Sequence, residues 1–279
     1  MSTVINYAQL FGWNSVPAAA VFAAVYSLLA AFFLFKIIRE RRYVLFIMTS
    51  FCLIRLTAFI MRAISAGVSS VGENEGIFIG AEVLFSVGFF GLLYGTYILV
   101  VDRLELCDNT NIPIPIIGTI LNLVRNRRVF RICLVICVAL GITGIDITSA
   151  NLTSTVGTDL RKASAIIFLV LTIIQVLQTL VLIAAEHRDK DSLKYTSTSF
   201  GAKHAPLLFG VIALMLLIRE IFSVATLNQF SKANNEHFWY PLVAVPELIC
   251  VLVYAIPGVI PPKVPPKVTE TTDLPMYTK

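Results

Sequence analysis

The chain has 279 residues, of which 57% are hydrophobic and only 14% are charged, whereas soluble domains carry about 45–50% apolar and about 25% charged residues. This composition, with a mean hydropathy of +0.82, excludes an ordinary soluble protein and indicates an integral membrane protein. The net charge of +5 largely reflects basic loops beside apolar segments, so nucleic-acid binding is not expected.

Apolar runs long enough to cross a bilayer recur along the whole chain. A membrane-spanning helix needs roughly 20 mostly apolar residues, and short polar stretches separate seven runs of about that length. The sequence therefore predicts an all-α bundle of seven transmembrane helices within residues 1–262 and a Pro-rich cytosolic tail at residues 263–279. The predicted spans are Val16–Ile38, Tyr43–Ala66, Ile77–Val101, Val129–Ser149, Ala163–Ala185, Ala205–Leu227 and Trp239–Ile260.

The lysines and arginines predict how the bundle is oriented. Sixteen of the 22 follow the first, third or fifth span or lie in the tail, whereas the opposite loops hold only Arg161, Lys162 and Lys232. Positive residues in short loops stay on the cytoplasmic side. The N-terminus is therefore predicted outside and the C-terminus in the cytosol, with the first span as its own signal anchor.

Three polar or irregular segments carry local signals. Ile112–Val124 is apolar but short and interrupted by prolines, which favours an interfacial or re-entrant segment. Asn151 begins an Asn-Leu-Thr sequon in an outside loop and is a candidate glycosylation site. Pro261–Lys267 reads PPKVPPK, which favours an extended polyproline conformation. This segment is either a stiff, solvated exit from the membrane or a ligand for an SH3-type groove.

Three prolines fall within the seventh predicted span: Pro241, Pro246 and Pro257. Each removes a backbone donor and clashes with the preceding helical turn. The last helix is therefore expected to be deformed rather than straight, although Pro241 alone could be accommodated in a first turn.

The sequence lacks the residues that several membrane chemistries require. The seventh span has no lysine for a retinal Schiff base, and the only histidines are His187, His204 and His237. No Ser/His/Asp arrangement and no phosphate-cradling glycine loop are present. Neither an enzyme nor a metal or cofactor site is expected, and any transport would be secondary or downhill.

Six charged residues lie within or close to the predicted spans: Arg55, Arg62, Glu82, Arg219, Glu220 and Glu247. A charge at the bilayer centre costs ~2.5–3.5 kcal/mol on insertion scales unless it is paired or hydrated, so these side chains should face the bundle interior or water.

The depths of these charges suggest which of them pair. Arg62 and Glu82 lie about one turn from the outer surface, while Arg219 and Glu247 lie about 12 Å deep at ~1.5 Å per residue. Two Arg/Glu pairs of matched depth are therefore possible, Arg62 with Glu82 and Arg219 with Glu247, and a contact of Arg219 with Glu247 is predicted. Glu220 should face another helix or a hydrated cleft.

The residues of the sixth and seventh spans form a pattern that is similar to that of a known protein family. Arg219-Glu220-Ile221-Phe222 is followed by Glu236-His237-Phe238-Trp239-Tyr240 and then Pro246. These residues resemble the fungal lipid-translocating exporters, also called RTA-like proteins. That family's sixth span typically reads Arg-x-Ile-Tyr-Arg-x-x-Glu, and a Glu-x-x-x-Tyr step follows. The pattern departs from the family at three positions that usually hold arginine, glutamate and aspartate, which here are Ser223, Thr226 and Val243.

The resemblance implies seven spans, an external N-terminus, and export or flipping of sphingoid bases, other amphipathic lipids or drugs at a plasma membrane. A cationic headgroup would then meet a carboxylate of Glu82, Glu236 or Glu247, and Arg62 and Arg219 would hold those acids when the site is empty. The alternative is that these charges only cross-link helices as structural pairs. Membrane lipids and an amphipathic small molecule are the expected partners.

A receptor is the second function that the sequence leaves open. Asp102-Arg103 at the cytosolic end of the third span resembles the Asp-Arg-Tyr switch of rhodopsin-like receptors, although the seventh span has no Asn-Pro-x-x-Tyr. The simpler interpretation of this pair is a solvated helix cap. A receptor or sensor would couple an external ligand to a cytosolic partner, whose identity the sequence does not indicate.

Overall fold

The computed structural model describes residues 6–10, 12–105, 126–150, 155–188, 200–227 and 229–260. These residues form an α-helical bundle in which seven helices are long and apolar enough to cross a membrane, as predicted. The candidate interfacial segment Ile112–Val124, the sequon at Asn151 and the Pro-rich tail lie outside the described residues.

The seven long helices follow the chain in order. They are α1 (Val16–Arg39), α2 (Tyr43–Gly67), α3 (Glu75–Leu104), α4 (Arg127–Ala150), α5 (Thr155–Arg188), α6 (Ala205–Ala225) and α7 (Glu236–Ala255). Short helices occur at Tyr7–Leu10, Ser69–Gly72, Phe200–Lys203 and Phe230–Ala233.

Side-chain caps fix where three of these helices begin. The Ser15 hydroxyl accepts a hydrogen bond from the Ala18 backbone N–H at 3.3 Å before α1. Asn74 caps α3 in the same way through the Ile77 N–H. Asn235 caps α7. A cap supplies an acceptor for a backbone donor that the first helical turn leaves free.

Helix α3 is the centre of the bundle and packs against α2, α4, α5 and α6. Helix α1 lies at the edge. Its residues Val21, Leu28 and Phe35 are 61%, 74% and 69% exposed, whereas Tyr26 and Phe33 on its other face are fully buried. A broad exposed apolar stripe of this kind is unusual for a soluble protein and suits contact with lipid.

The proline-induced deformation of the last helix is confirmed. Helix α7 contains a π-helical turn at Tyr240–Ala244, between α-helical segments Glu236–Trp239 and Val245–Ala255. The Val245 N–H donates to the Tyr240 carbonyl, so the helix is locally wider by one residue. The helix ends before Pro257, because a residue preceding proline is disfavoured in the α conformation, and Ile256 is extended with ψ 128°.

The largest difference from the predicted spans is at the start of α5. The helix begins at Thr155, well before the predicted Ala163, and is 34 residues long. Hydropathy marks only the part of a helix that suits the hydrocarbon core, whereas backbone hydrogen bonding continues through the polar residues before it. This extension places Arg161 on a helix rather than in a loop.

The orientation of the termini remains a prediction with a direct test. Tags at the two ends of the full chain should differ in their sensitivity to a protease added outside intact cells. We expect the N-terminal tag to be cut and the C-terminal tag to be spared, because the basic residues concentrate on the predicted cytosolic side. Cleavage of the C-terminal tag alone would contradict this orientation.

Candidate functional site

A cavity of about 530 Å³ lies inside the bundle, and side chains from α2 to α7 line it. It extends from the interior to the end of the bundle where Tyr7 and Leu10 meet Asn234 in the α6–α7 connection. We call this end the cavity end, and it is the end that the sequence predicts to be external. Ligand pockets for drug-sized molecules typically measure about 300–1,000 Å³.

The cavity walls combine aromatic rings with hydroxyl groups. Phe85 and Phe89 of α3 face Phe168 of α5, and the Phe89 and Phe168 rings are 5.4 Å apart. Ser164 and Thr226 add hydroxyl groups to the walls. Such a lining suits a ligand with a large apolar part and a few polar atoms.

An ion pair between α2 and α7 supports the floor of the cavity, which Arg55 lines and Glu247 does not. Arg55 Nη2 donates to Glu247 Oε1 at 2.6 Å, and the two side chains are 0% and 2% exposed. Arg55 Nη1 also donates to the backbone oxygen of Phe85 on α3 at 2.9 Å. One guanidinium therefore joins three helices. Additional hydrogen bonds of this kind help a buried pair to offset the desolvation of its charges.

Gly88 makes room for this guanidinium on α3. A Cβ atom at Gly88 would lie 3.0 Å from Arg55 Cζ, whereas one at Gly91 would have Ile47 Cγ2 as its nearest contact, at 3.9 Å. We expect Gly88→Ala to destabilise the protein by about 1–3 kcal/mol, because Arg55 must shift away from its partners.

The matched control for this prediction is Gly91→Ala on the same helix. It should stabilise the protein by about 0.5–1 kcal/mol, since alanine is the better helix former. Thermal unfolding of both purified variants in detergent measures the difference. Equal midpoints for the two variants would contradict the proposed role of Gly88.

Arg219 connects the floor to a second acid. Arg219 Nε lies 3.4 Å from Glu247 Oε1, and Arg219 Nη1 contacts Glu220 Oε1 on the same helix. The predicted contact between Arg219 and Glu247 is therefore confirmed, although Arg55 is the closer partner. The Arg219 guanidinium also lies 3.7 Å from the centroid of the Phe89 ring, a cation–π arrangement. Glu220 lines the cavity, as expected of an acid facing a cleft.

Arg62 is enclosed by aromatic rings near the cavity end of α2. Its guanidinium carbon lies 4.1 Å from the centroid of the Trp239 ring, 5.0 Å from that of Trp13 and 5.3 Å from that of Tyr240. The Arg62 side chain is 1% exposed. Cation–π contacts strengthen when the cation is desolvated, so the rings stabilise a charge that water does not reach.

Arg62 pairs with Glu236 rather than with Glu82, the partner that equal depth made possible. Arg62 Nη2 lies 3.6 Å from Glu236 Oε1. The same carboxylate oxygen accepts hydrogen bonds from the backbone N–H groups of Asn14 and Ser15, at 3.1 Å each. Glu236 therefore ties the N-terminal segment to α2 and α7. Equal depth along the two helices does not ensure that the side chains face each other.

The cavity brings together half of the residues that the sequence selected. The four that line it are Arg55, Glu82, Arg219 and Glu220. The four that lie outside its lining are Arg62, Glu236, Tyr240 and Glu247. Arginines hold Glu236 and Glu247, which is the arrangement expected of an empty site, and the role of these acids toward a headgroup stays a prediction.

Arg161 lines the cavity, although the sequence did not predict it as a site residue. It lies in the second turn of α5, half-buried, and lines the cavity together with Ser164, one turn further along the helix. The sequence placed Arg161 in a loop because the residues around it are polar. The polar stretch Thr155–Lys162 is helical, and a prediction of that helix would have placed Arg161 beside the bundle interior.

Two ion pairs join helices near the opposite end of the bundle, one buried and one partly exposed. Arg103 Nη1 donates to Glu186 Oε1 on α5 at 2.9 Å, with the side chains 9% and 10% exposed. Asp102 pairs with Arg127 on α4 at 2.7 Å. Arg103 is therefore a buried residue rather than a solvated cap, whereas Asp102 and its partner Arg127 are partly exposed.

Comparison of the chain with protein-family models, with curated proteins and with solved structures finds no match. The resemblance to lipid-translocating exporters therefore depends on the residues of the sixth and seventh spans alone.

Proposed function

We propose that this protein translocates or exports amphipathic lipids of the sphingoid-base type, or amphipathic drugs, across a plasma membrane. The observation that carries the proposal is the cavity of about 530 Å³ within a seven-helix apolar bundle. Its aromatic walls would accommodate a hydrocarbon chain, while its charged residues would meet a headgroup. The sequence resemblance to lipid-translocating exporters supports the same function.

The position of the cavity suits a carrier that opens toward one side at a time. Among the described residues, the cavity lining reaches the cavity end, and the buried Arg103–Glu186 pair joins α3 to α5 near the other end. Transport would require this pair and its neighbours to separate so that α3 and α5 move apart. Bistable packing of this kind is a common basis for large transitions in membrane and soluble proteins.

A receptor is the second candidate, and one observation favours it. Arg103 is buried between α3, α5 and the Phe209 ring of α6, with its guanidinium carbon 5.5 Å from the ring centroid. A ligand in the cavity could change this arrangement at the opposite end and expose a surface for a cytosolic partner. The same cavity would then bind a ligand without releasing it across the membrane.

Cells that overexpress or lack the protein distinguish the two functions. Labelled long-chain bases and amphipathic drugs are loaded, and their efflux is measured. A transporter changes the efflux and the sensitivity of the cells to these compounds. Unchanged efflux combined with an altered signalling response would overturn the transport proposal and favour the receptor.

A further inference from the structure

Four buried polar residues continue one face of α5 beyond the cavity. Thr172, Gln175, Gln178 and Thr179 are between 0% and 2% exposed. They follow Phe168, which lines the cavity, at intervals of three or four residues, and residues so spaced lie on the same side of a helix. We call these four residues the polar face of α5. It extends from the cavity toward the opposite end of the bundle.

The distribution of polarity on α5 is the reverse of that on a helix of a soluble protein. Its outer side is apolar, with Ile173 and Leu180 42% and 55% exposed. The neighbouring helix α6 buries apolar side chains instead, among them Phe209, Ile212 and Leu216. Buried polar residues within a membrane bundle either join helices by hydrogen bonds or line a path for a polar group.

The hydrogen bonds of the polar face do not join helices. The hydroxyl groups of Thr172 and Thr179 donate to backbone oxygens of α5 itself. Gln175 Nε2 donates to Thr179 Oγ1, also on α5, at 3.5 Å. Among the described residues, the Oε1 atoms of Gln175 and Gln178 have no hydrogen-bond partner. Buried oxygens without partners lower stability, so a role in joining helices does not explain why these amides are buried.

We propose that the polar face of α5 is the path along which the ammonium and hydroxyl groups of a long-chain base pass between the cavity and the opposite end. The Oε1 atoms of Gln175 and Gln178 accept hydrogen bonds from these groups. Neutral acceptors in series suit passage, because each holds a cation too weakly to retain it. Glu186 lies about 11 Å beyond Thr179 at ~1.5 Å per residue, and its pair with Arg103 must separate for release. This inference rests on the proposed function and adds the residues that contact the headgroup in transit.

The double variant Gln175→Leu/Gln178→Leu removes both amides and keeps side chains of similar size. Translocation of a tail-labelled fluorescent long-chain base by the purified full chain in phosphatidylcholine vesicles should be at least about tenfold slower than wild type, because the headgroup loses its acceptors. Binding of the same base in detergent should stay within about twofold of wild type, since neither glutamine lines the cavity. The thermal midpoint should be unchanged or higher, because leucine replaces unpaired buried oxygens.

Two threonines in the same local arrangement provide a matched pair of variants. Thr172 Oγ1 donates to the Phe168 backbone oxygen at 2.9 Å, and Thr49 Oγ1 on α2 donates to the Leu45 backbone oxygen at 2.8 Å. Both side chains are buried, and valine keeps their shape while removing the hydroxyl group. Thr172→Val should slow translocation by about threefold or more, because its hydroxyl oxygen can also accept from the headgroup. Thr49→Val should translocate like wild type.

The outcomes separate this inference from the proposed function. Wild-type rates in the double leucine variant would overturn the path and leave the proposed function in place. A thermal midpoint of that variant below that of wild type would show that the amides are structural and would also overturn the path. Equal slowing by Thr172→Val and Thr49→Val would have the same consequence. If the folded wild-type chain neither binds nor translocates the base, the proposed function itself fails, and the path fails with it.

Discussion

Replacing Glu247 by leucine is expected to destabilise the protein by about 3–5 kcal/mol, the usual cost of removing one partner from a buried ion pair. Glu247 Oε1 lies 2.6 Å from Arg55 Nη2 and 3.4 Å from Arg219 Nε. Its loss leaves two arginines at the floor of the cavity with Glu220 as their remaining acid. Arg55 is affected most, because it is 0% exposed and cannot turn toward water.

Arg55→Leu and Arg219→Leu should each destabilise the protein less than Glu247→Leu does. Arg55→Leu leaves Glu247 with Arg219, and Arg219→Leu leaves Glu247 with Arg55. Arg219 is 13% exposed and borders the cavity. In Arg219→Leu, water in the cavity can solvate the Glu220 carboxylate, or the carboxylate can take up a proton. We therefore expect the loss of stability to decrease from Glu247→Leu to Arg55→Leu to Arg219→Leu.

Thermal unfolding in detergent measures this order. For a protein of this size, a loss of 3 kcal/mol corresponds to a fall of roughly 6 °C or more in the midpoint. Glu40→Leu is the control, since Glu40 is 45% exposed in its pair with Arg42 and should contribute about 0–1 kcal/mol. The double variant Arg55→Leu/Glu247→Leu keeps the Arg219–Glu220 pair and should be more stable than Glu247→Leu alone. Equal midpoints for Glu247→Leu and Glu40→Leu would contradict a structural role for the floor.

Filling the cavity is expected to abolish transport without unfolding the protein. Ala165 on α5 lines the cavity, and Ala165→Trp would place an indole between the walls. The neighbouring Ile166 is 52% exposed on the outer face of the helix, so Ile166→Trp adds the same group on the side that faces lipid. Cells with Ala165→Trp should lose export of labelled long-chain amphiphiles to the level of cells without the protein.

The control variant makes this result specific to the cavity. Ile166→Trp should retain export within about twofold of wild type, since surface changes alter stability by less than about 0.5 kcal/mol. Surface expression and thermal midpoints of both variants are compared in parallel. Full export by Ala165→Trp at normal expression would show that the substrate path does not pass through the cavity.

The helices were largely predictable from the sequence because composition and span length dominate in a membrane. Composition also placed the last helix, and Pro241, Pro246 and Pro257 separately predicted its deformation. Composition failed at the start of α5, where Thr155–Lys162 is helical but polar. Hydropathy marks only the part of a helix that suits the hydrocarbon core, whereas a helix can continue through the polar residues next to it.

The partners of the intramembrane charges were only partly predictable. Depth along the helices correctly indicated Arg219 with Glu247, which lie on neighbouring helices α6 and α7. Depth did not indicate that Arg55 pairs with Glu247. The packing of all the helices brings α2 close to α7, and position along a single helix does not reveal it. Depth also did not indicate the partner of Arg62, since pairing requires that two helix faces meet as well as that two depths agree.

The most direct measurement of translocation uses the purified full chain reconstituted into phosphatidylcholine vesicles. A tail-labelled fluorescent long-chain base is distributed in both leaflets, and dithionite added outside bleaches only the label that reaches the outer leaflet. Wild-type vesicles should lose their inner-leaflet fluorescence with time, whereas vesicles with Ala165→Trp or without protein should keep it. Retention of the inner-leaflet fluorescence in wild-type vesicles would contradict translocation through this cavity.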